Sequence, residues 1–355
     1  MRKPFTDKLL KWHRHKNDRK MPWKGEKDPY KIWLSEIILQ QTRVEQGRAY
    51  YERFVQTFPT IGHLARAKDQ AVFKLWEGLG YYSRCRNLLE TARRITHERG
   101  EVFPGNYKEI LELKGVGPYT AAAIASFAFD LPYAVVDGNV QRVLARYHGI
   151  SQPIDSKEGK EKIEALAAEL LYSKRPGEYN QAIMDFGATV CKPQQPLCTD
   201  CIQRKECVAF QQGRVNDLPV KEKSIRIRDR WFNYYVFIAG KSVAVRPREG
   251  KDIWQGLYEF MLEEQIKPFT DPPAAAVPSG WVKGRGAIHW IKGETYRQQL
   301  SHQRVHVRFH IGRVVSQDRL RIKAEWLSRQ QLSRRPFPVV IQKFMQQELL
   351  RAGNL

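Results

Sequence analysis

Through the first 210 residues apolar positions recur three and four apart. The stretches AVFKLWEGLGYY, RNLLETARRI, YTAAAIASFAF, NVQRVLARY and KIEALAAELL show this spacing, which predicts helices. Phe58-Pro59, Phe103-Pro104-Gly105 and Pro176-Gly177 punctuate them, and no long alternating strand interrupts. After residue 230 the period shortens. WFNYYVFIAGKSVAVRPR and HQRVHVRFHIGRVV predict strands; in the second, Val305, Val307, Phe309 and Ile311 share one face and His306, Arg308 and His310 the other. Between the two regimes, residues 211–230 (QQGRVNDLPVKEKSIRIRDR) are polar, and their last ten carry five Lys/Arg. TDPPAAAVPSG predicts a loop and PVVIQKFMQQELLR a final helix. The expected organisation is an all-α domain over 1–210, a linker over 211–230 and an α+β domain over 231–355, without internal repeats.

The 355 residues suit two domains, and 42% hydrophobic residues supply ordinary cores. Charge changes the picture more. Sixty Lys+Arg against 38 Asp+Glu leave a net +22, which points to a polyanionic partner, nucleic acid first, against the plainer reading of a basic soluble protein. The N-terminal MRKPFTDKLLKWHRHK is too charged for a signal sequence. The longest uncharged stretch, Gly115 to Phe129, is too short to span a bilayer. A cytosolic chain without membrane contact is expected, or a nuclear one in a eukaryote.

Four constellations carry candidate chemistry. In YKIWLSEIILQQTR, Glu36 lies in an apolar run; on a helix its neighbours are Ile32, Trp33, Leu39 and Gln40. It is either a salt-bridged glutamate or a desolvated carboxyl whose raised pKa keeps a proton near neutrality. In YAVVDGNVQRVLARYHG, Asp137 precedes a helix; it is either a plain N-cap or a carboxylate held ionised by the helix N-terminus. One protonated and one ionised carboxyl suit cleavage of a glycosidic bond. In ILELKGVGPYTAAAIASF, Gly115 and Gly117 form the turn of a helix-hairpin-helix whose bare backbone N–H groups suit a phosphate; an ordinary glycine turn is the alternative. Cys191, Cys198, Cys201 and Cys207 fall within 17 positions, with a single C-x2-C pair and no histidine among them. Such a set encloses an iron–sulfur cluster more readily than zinc. Aromatic and basic side chains also mix in LQQTR and WEGLGYYSRCRN, where Tyr81 and Tyr82 are either core residues or a wedge. Cys85 is expected to be a buried, inert thiol.

Taken in order, KIWLSEIILQQTRV, WEGLGYYSRCRNL, LKGVGPYTAAAI, VDGNVQRVL and the cysteine spacing resemble the MutY-type adenine DNA glycosylases. That family lies in the helix-hairpin-helix glycosylase superfamily, alongside endonuclease III. WQGLYEF and LSHQRVHVRFH resemble its C-terminal, Nudix-like domain, although no G-x5-E-x7-R-E-x2-E-E box is present. The resemblance implies a six-helix barrel with a [4Fe-4S] module on the four cysteines, and a monomeric base-excision enzyme of the bacterial cytoplasm, acting at the nucleoid. Its implied substrate is double-stranded DNA with adenine opposite 8-oxoguanine or guanine. Glu36 would protonate the flipped adenine at N7, Asp137 would stabilise or trap the oxocarbenium ion, and Asn139 and Tyr119 would hold the site. Tyr119 stands where lyase members carry a nucleophilic lysine, which implies a glycosylase without lyase chemistry. Gln41 and Tyr81 would wedge the duplex, with Thr42 and Leu79 near the oxidised guanine. Ser301 and His302 match a lesion-reading F-S-H loop, with Leu300 in place of the phenylalanine. Lys24, after Pro22-Trp23, departs from the arginine often found there. The rival readings are a lyase for oxidised pyrimidines, a non-catalytic iron–sulfur protein on damaged DNA, and a nucleotide hydrolase, which the missing box disfavours.

Overall fold

A computed structural model describes residues 2–222, 227–269, 277–283 and 288–349. Parts of the expected linker (223–226), of the TDPPAAAVPSG loop (270–276) and of the last helix (Leu350, Arg351) lie outside them. The helices run α1 (Arg2–Lys16), α2 (Pro29–Leu39), α3 (Val44–Thr57), α4 (Ile61–Arg66), α5 (Asp69–Trp76) and α6 (Ser83–Arg99). They continue as α7 (Tyr107–Leu111), α8 (Pro118–Phe129), α9 (Gly138–His148), α10 (Lys157–Leu170), α11 (Pro176–Thr189) and α12 (Val208–Gln211). Strands follow: β1 (Arg228–Ala239), β2 (Ser242–Pro247), β3 (Tyr258–Glu259), β4 (Met261–Gln265), β5 (Ile288–Gln299), β6 (Gln303–Val314) and β7 (Glu325–Ser328). Short helices α13 (Arg329–Ser333) and α14 (Val339–Phe344) close the chain, α14 running into a π-turn at Met345–Leu349. No helix among the described residues is long and apolar enough to cross a membrane.

The chain forms two compact units, Met1–Arg66 with Arg86–Lys223, and Ala67–Cys85 with Ser224–Leu355. In the first, α2 starts on Pro29, with the Asp28 carboxylate accepting from the Tyr30 N–H at 2.9 Å. It is buried nearly all round, from Tyr30 to Ile38, and packs on α8. Helices α7 and α8 with their turn make the hairpin. Asn106 caps α7 by accepting from the Glu109 N–H, and Pro118 opens α8. Gly115 is required twice over: its φ is +81°, and a Cβ there would come within 2.9 Å of Asn87. The alanine-rich α8 packs closely against both α2 and α11.

Asn180, fully buried on α11, fastens the segment that leads into α9. Its amide donates to the Ser126 hydroxyl and the Tyr133 carbonyl, both at 2.8 Å, and its oxygen accepts from the Val135 N–H at 3.2 Å. Gly187 lets α11 approach the start of α9; a Cβ there would lie 2.7 Å from Asn139 Cβ. Phe5, Leu9, Val143, Leu144, Ile183 and Phe186 belong to the core these helices share.

The second unit is built on a mixed sheet in the order β3-β2-β1-β6-β5, with β4 on β1 and β7 on β2. Strands β1 and β6 are parallel, while β5 and β6 are antiparallel. Of the two faces expected in β6, Val305, Val307, Phe309 and Ile311 are buried as expected, with Phe344 of α14 stacked on Phe309 at 3.9 Å, but Arg308 and His310 on the polar face are buried too, because the sheet is covered on both sides there. Residues 67–85, expected within the helical domain, gather in this unit. Gln70 donates to the Tyr258 hydroxyl at 3.1 Å, Lys74 to the Arg335 carbonyl at 3.1 Å, and the Phe337 N–H to Glu77 at 2.8 Å.

Candidate active site

In the first unit a cavity of about 430 Å3 has Glu36, Tyr119, Asp137 and Asn139 in its lining, four residues drawn from three separate motifs. Thr42 also lines it. Glu36 projects from the middle of α2, only 7% exposed. Desolvation pushes its pKa up to about 7; Asp137 nearby adds to the rise, and a hydrogen bond from the Tyr119 hydroxyl opposes it. Burial first, then the two carboxylates, hold the Tyr119 phenol well above its ordinary range, so it stays a donor. The apolar setting of α2, rather than a salt bridge, accounts for the burial of Glu36.

Asp137 caps α9. Its Oδ1 accepts from the Asn139 and Val140 N–H groups at 2.9 and 2.8 Å, and its Oδ2 from the Asn139 amide at 2.7 Å. The plain N-cap reading and the catalytic placement therefore coincide in one side chain. The expectation that the helix N-terminus depresses its pKa is corrected: the pKa is raised, because burial outweighs the three donors and Arg142.

Sequence reasoning missed the opposite wall. Asp185, wholly buried on α11, accepts from Asn17 at 2.7 Å, Arg19 at 2.8 Å, Lys24 at 3.1 Å and Gln181 at 3.0 Å. Arg19, Lys24 and Gln181 line the cavity, so a buried carboxylate anchors two cations there. The unusual Lys24 was the only sequence signal for this wall.

Helix α9 also reaches the cysteine segment. Arg142 donates to Asn139 Oδ1 at 2.9 Å and to the Cys191 carbonyl at 2.8 Å, and Arg146 approaches Cys191 Sγ at 3.5 Å. Cys191, Cys198, Cys201 and Cys207 all line one cavity of about 30 Å3. Among the described residues, no group of three or more His, Cys, Asp or Glu side chains is placed to hold a metal ion. Burial raises the thiol pKa at Cys198 and Cys207, and pushes Cys201 up to about 11. Cys85 belongs to the second unit and is fully buried.

The remaining sequence-predicted residues divide between the units. Gln41, exposed, follows α2 with φ of 56°. Gly117 is the N-cap of α8 and has open space around its Cα. In the second unit Tyr81 has φ of 47° and is 38% exposed, while Leu79 is buried. Left-handed φ is costly for Gln and Tyr, and such outliers gather at functional positions. The Tyr81 hydroxyl is hydrogen-bonded to the Ser301 hydroxyl, joining two candidates 220 residues apart. Ser301 and His302 are exposed in the β5–β6 turn, which the Leu300 N–H closes onto the Gln303 carbonyl at 2.8 Å.

Residues 34–171 match the HhH-GPD superfamily of base excision DNA repair proteins, and residues 233–347 match the NUDIX domain. The first unit's helical architecture is shared with a thermostable thymine-DNA glycosylase (30% identical, TM-score 0.55, covering 59% of this chain and 97% of that one). An endonuclease III–DNA complex shares the fold at 18% identity, with a TM-score of 0.50 over 59% of this chain and 94% of that one. The chain is thus an enzyme of the DNA glycosylase class, a helical glycosylase fold followed by a Nudix domain. The adenine DNA glycosylase of Buchnera aphidicola subsp. Schizaphis graminum is 33% identical over 309 residues, 86% of either chain. That of Rattus norvegicus is 43% identical over 227 residues, 61% of this chain and 44% of that one. The chain belongs to the adenine DNA glycosylase family.

Proposed function

We propose that this enzyme removes adenine paired with 8-oxoguanine or guanine, by hydrolysis and without strand cleavage. The observation that carries the reading is one cavity holding two carboxyls in unlike settings, Glu36 among apolar side chains and Asp137 on a helix N-terminus. With a pKa of about 7, Glu36 keeps a proton on a large share of molecules at neutrality. The flipped adenine takes that proton at N7, and the glycosidic electron pair leaves with the base. The oxocarbenium ion left on the sugar faces the Asp137 carboxylate, held in place by Asn139 and two backbone N–H groups. Water then adds to the anomeric carbon and gives up its proton to a carboxylate. Tyr119 positions Glu36 and has no amine with which to form a Schiff base.

Gln41 and Tyr81 are assigned to the wedge, Thr42, Leu79, Ser301 and His302 to the opposite guanine, and Gly115 with Gly117 to a backbone phosphate. Residues 1–210 are read as the catalytic domain and the chain from 231 as the lesion-reading one; a monomer of the bacterial cytoplasm is the working state. A duplex with adenine opposite 8-oxoguanine tests the chemistry. Strand breakage is expected only after hot alkali; breakage without alkali would mean lyase chemistry and overturn the role given to Tyr119.

The four cysteines are assigned to a [4Fe-4S] cluster. A single tetrahedral ion draws thiolates to about 2.3 Å from one centre and is more often held by paired C-x2-C knuckles, whereas a cubane gives each thiolate its own iron, and four cysteines with one C-x2-C pair and no histidine among them, gathered round one cavity, suit the second. When bound, the cluster supplies a crosslink for the 191–207 segment and one-electron chemistry. Arg142 and Arg146 tie that segment to α9, so ordering it also steadies Asp137. Cys198→Ser is expected to lose iron and acid-labile sulfide together and to lower Tm. Stoichiometric zinc with no sulfide in the wild type would overturn the assignment.

A further inference from the structure

The polar face of β6 is not used by the glycosylase reading. The parallel register sets Arg304 opposite Asp229, His306 opposite Trp231, Arg308 opposite Asn233 and His310 opposite Tyr235. The last two rungs are core. His310 Nε2 is 3.0 Å from Asn233 Oδ1, the Tyr235 ring stacks on His310 at 5.0 Å, and all four residues are buried. The first two rungs emerge half-exposed where the Ser301–His302 turn begins. There Trp231 lies flat on His306, ring centroids 5.4 Å apart and planes within 10°. Asp229 fixes the pair from below, 2.7 Å from His306 Nε2 and 3.4 Å from the Arg304 guanidinium. The Arg228 N–H donates to the His302 carbonyl at 3.0 Å, while its side chain is exposed. Arg228 and Trp231 face an open groove of about 490 Å3.

We propose that this strand end is a second DNA contact, which takes the nucleotide flanking the base read by Ser301 and His302. Its phosphate lies on Arg228, and its sugar against the Trp231 ring. The proposal rests on the lesion-reading assignment of that turn. Three observations carry it. An exposed cation, Arg228, lines the same groove as a half-exposed aromatic platform, the combination that tracks a nucleic-acid strand. A main-chain hydrogen bond ties the platform's strand directly to the reading turn. The three carboxylates on the groove wall are all engaged, Asp252 and Glu264 by the buried Arg230 at 2.7 and 2.6 Å and Asp229 by His306 and Arg304 at 2.7 and 3.4 Å, which tempers their repulsion of an incoming phosphate.

The test is affinity for a duplex carrying a non-hydrolysable adenosine analogue opposite 8-oxoguanine, measured across a salt series. Trp231→Ala is expected to weaken binding about tenfold, and Trp231→Phe to recover most of it. Arg228→Gln is expected to lower the slope of log affinity against log salt by about one. Wild-type affinity and slope in both variants would overturn the contact, as would a Trp231→Ala protein with lowered Tm and unchanged binding, the mark of a packing role. Ser301→Ala and His302→Ala run alongside. If they lose the preference for 8-oxoguanine while Trp231→Ala and Arg228→Gln bind normally, only this proposal fails. If none of the four changes binding, the lesion-reading assignment fails with it.

Discussion

Glu36→Gln is expected to slow base excision by about 10²–10⁴-fold, the range that a lost general acid costs, and at the same time to stabilise the protein above neutral pH. The two effects share one cause. Burial raises the Glu36 pKa from 4.5 to about 7, so the folded state holds this proton more tightly than the unfolded chain does. That contribution to stability is complete below the unfolded value and is lost as pH rises through about 7, a swing of about 3 kcal/mol. Glutamine cannot ionise and escapes the loss. Its Tm should exceed that of the wild type by several degrees at pH 8 and converge with it near pH 4.5. Single-turnover rates and thermal melts over that pH range check both claims. A variant of wild-type rate ends the acid role; a Tm difference independent of pH ends the raised pKa. In the wild type the rate should itself decline as pH rises through 7.

Asp137→Asn is the second large effect, about 10²–10³-fold on the chemical step. The choice of asparagine matters, because it caps a helix as well as aspartate does and so leaves α9 intact. Asp137→Ala removes both functions: the same loss of rate should come with about 1 kcal/mol less stability. Rate and melt measured on the two variants separate charge from cap. Equal rates for the Asp137→Asn variant and the wild type would leave Asp137 a structural cap and nothing more. Because the Asp137 pKa is also raised, activity should fall on the acid side at a higher pH than a free aspartate would give. Together with Glu36 this makes the profile bell-shaped.

Much of this site is written locally. A glutamate inside YKIWLSEIILQQTR shows its burial in its neighbours, and Asp137 announces a cap because a helical period begins right after it. Strand β6 shows its two faces by simple alternation. What the local pattern misplaces is the Asp137 pKa, since the helix dipole is readable from sequence and the depth of burial is not. Asp185 is invisible for a similar reason: three of its four donors come from residues 17, 19 and 24, and no periodicity links those to α11. The Tyr81–Ser301 hydrogen bond and the left-handed Gln41 and Tyr81 likewise arise from the assembled fold. Family resemblance nominated those residues; spacing alone left them undecided.

The assignment of residues 67–85 to the second unit has a consequence for how the chain is made. Val72, Phe73 and Trp76 of α5 are buried, and partners of this segment include Tyr258, Arg335 and Phe337, some 190–260 residues later. At about 5–20 residues per second, the ribosome needs roughly ten seconds or more to deliver them. During that interval α5 has its apolar stripe ready and those partners unmade. Synthesis order thus sets a waiting time in the middle of the chain, during which this short helix lacks the hydrogen bonds that fasten it in the finished unit.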